Sequence, residues 1–375
     1  QIAMLAADFT PGEADGLRRA MAAWKRKGGL EKYYHRLVDG MTSRGYALEF
    51  AEAIFEQVKG FSEYGFPESH AASFALLVYA SAWIKRHEPA AFLVALLNSQ
   101  PMGFYTPSQL VQDARRHGVE VRPVDVMHSA PESTLEDLPA TPAVRLGLHM
   151  VHGLQAIRAE RIAAERAMAP FDSAEELARR ARLEQHEMKL LAAAGALATL
   201  SGHRRQQVWE AAVLHAPPAL LQDAPVDEEF LKLPAAPEGE EVVWDFASVG
   251  LTLRSHPMAL LRRKLDTYKL QTSEDLRRMP DGRTVRTAGI VTLRQQPETA
   301  KGTVFVSLED EHGSTQVIVW KHVRQAQRQV LLGARLLGVK GRWQREGEVC
   351  NLIAYRLVDL SPLLGRLATE SRDFR

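Results

Sequence analysis

The chain has 375 residues, 25% of them charged and 46% apolar, which excludes a disordered tail and gives room for two to four domains. Its formal net charge of +1 averages over basic and acidic stretches that lie apart, so their distribution says more than the total. The single cysteine, Cys350, excludes an internal disulfide and a cysteine zinc cluster and fits a reducing cytoplasm.

The N-terminus, Gln1-Ile2-Ala3-Met4, has no charged leader or cleavage site, no apolar run is long enough to span a bilayer, and the start on Gln reads as a piece of something longer. From Pro11 to about residue 116 the pattern is helical, with glycines punctuating amphipathic segments. In "LRRAMAAWKRKGG", Arg18, Arg19, Lys25, Arg26 and Lys27 crowd ten positions, and at 100° per residue Arg18, Lys25 and Arg26 share a face. Such a cluster is either a solvated basic face or a clamp for a triphosphate, whose oxygens accept from forked guanidiniums.

Further on, "GFPESHAASFALLVYASAWIKRHEP" sets Pro67-Glu68-Ser69-His70 before a smooth apolar run, which predicts a buried helix. Its first turn carries free N–H donors and partial positive charge. Ser69 and His70 therefore either cap the helix or help to hold an anion there. "RHEPA" lacks the second histidine of a zinc-protease motif, Ser69-His70 has no nucleophile elbow, and no D-x-D pair suits two-metal phosphoryl transfer.

"GVEVRPVDV" reads as a short strand, and a boundary is expected near residue 143. Short helices joined by glycine turns at Gly153 and Gly195 then predict an all-α unit whose backbone N–H groups suit a nucleic-acid backbone. Its first turn reads Gly153-Leu154-Gln155, with glutamine where a second glycine is usual. "GHRRQ" offers His203, Arg204 and Arg205 either as added charge or as a helix end. Residues 216–241, rich in Pro, Ala and acid, have linker composition.

After the helical piece "SHPMALLRRKL", five strand-like runs follow, with turn-formers at Asp281-Gly282 and His312-Gly313. The helical stretch "VRQAQRQVL" between the third and fourth predicts an OB-type barrel rather than a sandwich. Alternation sends Val304, Val306 and Leu308 to one face and Phe305 to the other. Trp320 and Trp343 lie near Lys321, Arg342 and Arg345. Aromatics beside cations suit stacking on a single strand, while the same rings could complete the barrel core.

Together "GEADGLRRAM", "YGFPESHAASFALLVYASAWIKRHEPAAF", "LLNSQPMGFYTPSQLVQDARRHGVEVRPVDV", "GLTLRSHPMALLR" and "LEDEHGSTQVIVW" resemble the C-terminal half of bacterial C-family DNA polymerases, the DNA polymerase III alpha-subunit-like family. "GARLLGVKGRWQREGEV" and "DLSPLLGRLATESRDFR" are similar to its error-prone, damage-tolerance branch of the ImuC type. The resemblance implies a multidomain fold, mainly α fingers and tandem helix-hairpin-helix followed by an all-β OB-fold barrel. The expected divisions are fingers 1–143, tandem helix-hairpin-helix 144–215, linker 216–241, helical connector 242–280, OB domain 281–362 and tail 363–375.

By the same resemblance, the parent enzyme is a DNA-directed DNA polymerase serving translesion synthesis, SOS mutagenesis and DNA repair. Its Mg²⁺ is bound in a palm N-terminal to Gln1, so no catalytic or metal-binding residue is expected in this chain, which alone should be inactive. Arg18, Arg19, Ser69 and His70, with Lys25 and Lys27, are expected to face the incoming dNTP. Gly153, Gln155, Arg204, Arg205, Phe305, Trp343, Arg342 and Arg345 are the expected contacts to primer-template and single-stranded template DNA. No membrane partner is expected. "LLQDAPVDEEF" lacks the apolar-aromatic ending of a clamp motif after Gln222, so partner proteins of a mutagenesis complex are expected to recruit the enzyme to the sliding clamp. Two other readings remain: a non-catalytic scaffold half that binds those proteins, and part of a replicative alpha subunit.

Overall fold

Amphipathic segments between glycines form the helices of the N-terminal part in a computed structural model, which describes residues 2–27, 31–63, 68–103, 105–137, 142–213, 232–297, 300–367 and 372–374. The backbone alone is described at 21–27, 31, 59–63, 68–70, 213 and 372–374. The chain divides into two units, Gln1–His87 and Glu88–Arg375.

In the first unit, α1 (Ile2–Ala7), α2 (Pro11–Lys27), α3 (Tyr34–Ser43) and α4 (Leu48–Glu63) enclose a core that includes Phe9, Leu17, Leu37, Met41 and Phe55. Gly40 permits α1 and α3 to meet, since a Cβ there would stand 2.6 Å from the Ala7 carbonyl oxygen. The fifth helix, α5 (Glu68–His87), departs from the expected burial: Ala71 to His87 are all exposed, with Leu76 and Tyr79 each at 74%. The run is apolar on every side, but no described element covers it.

The second unit begins with α6 (Pro89–Asn98) and α7 (Pro107–Arg116); Thr106 and Gln109 form a reciprocal capping box at the start of α7. A small sheet follows, in which β3 (Ala143–Arg145) lies between β1 (Val121–Arg122), which it pairs in parallel, and β2 (Thr134–Glu136), antiparallel. Five helices come next: α8 (Ala156–Met168), α9 (Ala174–Arg180), α10 (Gln185–Ala193), α11 (Ala198–Ser201) and α12 (Arg204–Val213). One core runs from Ala90 through Val144, Ile162 and Leu191 to Leu251. Position 143, the expected boundary, therefore lies inside a folded unit, because β3 joins strands drawn from before it.

Residues 214–231, most of the expected linker, lie outside the described residues. Its end is structured, since α13 (Glu238–Val249) starts within it and Glu241 is buried. α14 (Pro257–Thr267) and α15 (Ser273–Arg278) complete the connector.

The barrel strands are β4 (Thr284–Gln295), β5 (Val304–Asp310), β6 (Gly313–Val319), β7 (Leu336–Glu346) and β8 (Val349–Asp359). Antiparallel pairing joins β4 to β5, β5 to β6, β8 to β7 and β7 to β4, while β6 and β8 run parallel, so the five close a ring. This is the OB arrangement, with α16 (Lys321–Ala326) and α17 (Arg328–Gly333) between its third and fourth strands. Val323 and Leu331 of those helices join Val304, Val306 and Leu308 in the barrel core.

The connector and the tail pack on the barrel's side through Met258, Leu265, Ile290, Leu364 and Leu367. A last strand, β9 (Arg372–Phe374), adds to β4 in parallel. Among the described residues no helix is long and apolar enough to cross a membrane.

Candidate nucleotide and nucleic-acid interface

Arg18 and Arg19 sit side by side on α2 and both reach back one turn to Asp15. Each places a guanidinium nitrogen 2.9 Å from a different oxygen of that carboxylate. The spacings i,i+3 and i,i+4 make this local meeting possible. The Arg18 hydrogen bond, aided by the charge of Arg19, outweighs desolvation and holds Asp15 below its ordinary carboxylate value. Both arginine side chains stay more than 70% exposed. Their forks thus converge on one oxyanion while remaining open to another. Sequence reading missed Asp15, although an acid three and four residues before two arginines was the available signal.

Lys25 and Lys27 belong to α2, and Ser69 and His70 to the first turn of α5; their side chains lie outside the described residues, as does Pro67.

In the second unit the first hairpin turns at Gly153, whose φ of +83° requires glycine. Its neighbour His152 donates its backbone N–H to the Ser248 carbonyl at 2.8 Å, and its Nδ1 lies 3.1 Å from the Ala247 carbonyl. One side of the hairpin is therefore docked on the end of α13. Gln155 is the exposed N-cap residue of α8, and its side chain makes no capping bond. Gly153 and Gln155 thus stand exposed at a helix start, where main-chain donors point outward.

The second hairpin turns at Gly195, and the Arg204 guanidinium fills the space beside it, 2.9 Å from where a Cβ would be. Arg204 departs from the expected DNA contact. It is only 7% exposed and pairs with Asp245 at 2.5 Å and Glu241 at 3.2 Å. Arg205 is less enclosed but pairs with Glu240 at 2.8 Å. His203 Nε2 lies 2.8 Å from the Leu233 carbonyl. The "GHRRQ" cluster ties the hairpins to α13, because the acids that read as linker stand on that helix and need partners.

On the barrel, Trp343 is a second departure from the expected surface. It is 2% exposed and belongs to the barrel core. Strand parity explains this, since Val339, Gly341 and Trp343 alternate inward while Lys340 and Arg342 alternate outward. Phe305 is half-buried, and Trp320 is exposed. Arg342 and Arg345 are exposed; Asp281 lies 3.9 Å from the Arg342 guanidinium and accepts the Arg345 backbone N–H at 2.9 Å. A cavity of about 490 Å³ lies beside the barrel helices, lined by Val304, Arg324, Arg328 and Leu331 among others. Among the described residues no group of three or more His, Cys, Asp or Glu could hold a metal ion.

The sequence matches the family profile described as bacterial DNA polymerase III alpha subunit finger domain over residues 1–45, and that described as helix-hairpin-helix motif over residues 118–207. It is 57% identical over 380 residues to the Error-prone DNA polymerase of Azoarcus sp. (strain BH72), covering 100% of this chain and 36% of that protein. It is 56% identical over 381 residues to the Error-prone DNA polymerase of Burkholderia pseudomallei (strain K96243), again covering 100% of this chain and 36% of that protein. The chain thus spans about a third of the length of the curated relatives it matches. Among solved structures, an asparaginyl-tRNA synthetase from Pyrococcus horikoshii overlaps 24% of this chain and 22% of its own at 19% identity, with a TM-score of 0.21.

Proposed function

We propose that this chain, which is similar along its whole length to Error-prone DNA polymerases, is the part of an error-prone bacterial C-family DNA polymerase that holds incoming nucleotide and DNA. In this reading the parent enzyme joins nucleotides to a primer during translesion synthesis in the cytoplasm. Its Mg²⁺ and catalytic carboxylates then belong to polypeptide outside these residues. The observation that carries the reading is the similarity along all of the chain, through fingers, hairpins and barrel alike.

Within that function, Arg18 and Arg19 of the fingers grip the triphosphate of a dNTP, exchanging Asp15 for phosphate oxygens of higher charge. Lys25 and Lys27 add positive charge, and Ser69 and His70, in the first turn of α5, are residue types that can donate to the same class of ligand. The exposed turn at Gly153 and Gln155 receives duplex phosphates, and Phe305, Arg342 and Arg345 face a single strand. Partner proteins of a mutagenesis complex recruit the parent enzyme to the sliding clamp.

Titration of a fluorescent single strand and of a primer-template with this chain at several salt concentrations tests the reading. Micromolar or tighter binding that weakens steeply with salt is the expected result. No binding of either DNA at low salt would overturn the DNA-holding role and favour the scaffold reading.

A further inference from the structure

The outer face of the barrel carries a row of like charges that sheet chemistry disfavours. Arg286 of β4 stands in register with Lys340 of β7, and Lys340 in turn stands in register with Arg356 of β8. All three are exposed, and none is ion-paired with a carboxylate among the described residues. Directly opposed like charges destabilise a sheet, so three abreast are a cost the fold bears without internal compensation. Local rules broken in this way concentrate at functional surfaces.

A bulge shapes the row further. The β7–β8 register shifts between Lys340 and Gly341, leaving Tyr355 as an extra residue on β8. Tyr355 and Arg356 are consequently both exposed, although they are consecutive on a strand. Gly341 permits this geometry, because a Cβ there would stand 2.1 Å from the Ile353 carbonyl oxygen. An aromatic ring therefore stands at the end of the cation row. Adjacent strands lie about 4.8 Å apart, so three cations cover roughly 10 Å across the strands.

We propose that Arg286, Lys340 and Arg356, with Tyr355, form a binding track for the phosphodiester backbone of a single strand crossing β4, β7 and β8. This rests on the DNA-holding role proposed above and adds a site on a face of the barrel apart from Phe305. The three cations neutralise successive phosphates, and Tyr355 offers its ring to one base.

The test is the salt dependence of binding of a fluorescent oligodeoxythymidylate by the 375-residue chain and its R286Q/K340Q/R356Q variant. Each lost phosphate contact lowers the slope of log K against log[salt] by about 0.7 on a single strand, so the variant's slope should fall by about two units. R286K/R356K should keep the wild-type slope, since lysine retains the charge. At low salt the triple variant should melt no lower than wild type, as it removes repulsion; a substantially lower melting temperature would indicate a structural role and overturn the proposal.

Wild-type binding with an unchanged slope in the triple variant would overturn the track while leaving the DNA-holding role intact. No oligonucleotide binding by wild type would overturn both. Equal loss of poly-glutamate and oligonucleotide binding would overturn the track as a phosphodiester site and assign the row to an acidic protein partner.

Discussion

The Arg204 guanidinium at the start of α12 lies 2.5 Å from the Asp245 carboxylate of α13, joining two helices across 41 residues of sequence. The same guanidinium donates to the Glu241 carbonyl at 2.8 Å, while Thr252 donates its hydroxyl to Asp245. Removing one partner from so enclosed a set leaves buried charge without compensation. Arg204→Ala should destabilise the chain by about 3–5 kcal/mol, read by urea unfolding. A loss below about 1 kcal/mol would show that the network is not closed in solution.

Trp343 belongs to the barrel interior, and its indole N–H has no partner there. Trp343→Ala should cost about 3–5 kcal/mol through the cavity it leaves. Trp343→Phe should cost less, since it keeps most of the volume and removes the unpaired donor. If single-stranded DNA quenches the intrinsic fluorescence of the chain, the quenching should survive in Trp343→Phe and diminish in Trp320→Phe. The opposite pattern would mean that the barrel opens on binding.

Arg18 and Arg19 make their prediction through Asp15. In the full-length enzyme, Arg18→Ala with Arg19→Ala should lower kcat/KM for dNTP by about tenfold or more, with primer-template affinity largely spared. Asp15→Asn should act in the reverse direction, lowering KM for dNTP, because it removes the anion that competes for both guanidiniums. Unchanged nucleotide kinetics in both variants would remove this pair from the nucleotide site.

Of the carboxylates held below their ordinary value, two that are partly buried, Glu136 and Glu311, should contribute most to an acid limb. Burial pushes Glu311 up, but the paired hydrogen bonds from Arg262, each 2.7 Å, and its charge outweigh burial, so the carboxyl lies below its ordinary value. Glu136 is lowered chiefly by Arg145, against desolvation and with help from Arg122. A depressed folded value stabilises the protein above the unfolded carboxylate value of 4.5, and that contribution is lost as pH falls through the folded value. Urea unfolding between pH 6 and about pH 3 should therefore show falling stability, with a shallower fall in Arg262→Gln. Parallel acid limbs in the two proteins would refute the assignment to Glu311.

The barrel was legible because its signals are short-range: Val304, Val306 and Leu308 alternate inward, and the helical interruption before β7 marks the OB order. Trp343 could have been placed by the same parity, counting from Val339, but its neighbouring cations suggested a surface. The row of Arg286, Lys340 and Arg356 could not be read, because register between distant strands depends on closure and on a bulge. Arg204 was equally opaque, since its partners lie beyond residues 214–231, Glu241 at the end of the stretch read as linker and Asp245 in the connector, and nothing local ties them to it. The apolar run of α5 suggested a buried helix, yet Ala71 to His87 are exposed, because composition records how apolar a helix is and not whether another described element packs on it.

The parallel pairing of β6 with β8 has a consequence for synthesis. Gln316–Ile318 acquire their partners, Asn351–Ile353, only when the final barrel strand has left the ribosome. Until then β6 and β7 each present an unpaired edge, lined inside by Val317, Val319, Val339 and Trp343. A ribosome stalled after β7 would thus expose an open, sticky trough, a natural ligand for chaperones and a seed for aggregation. The last strand closes the ring and shelters both edges at once.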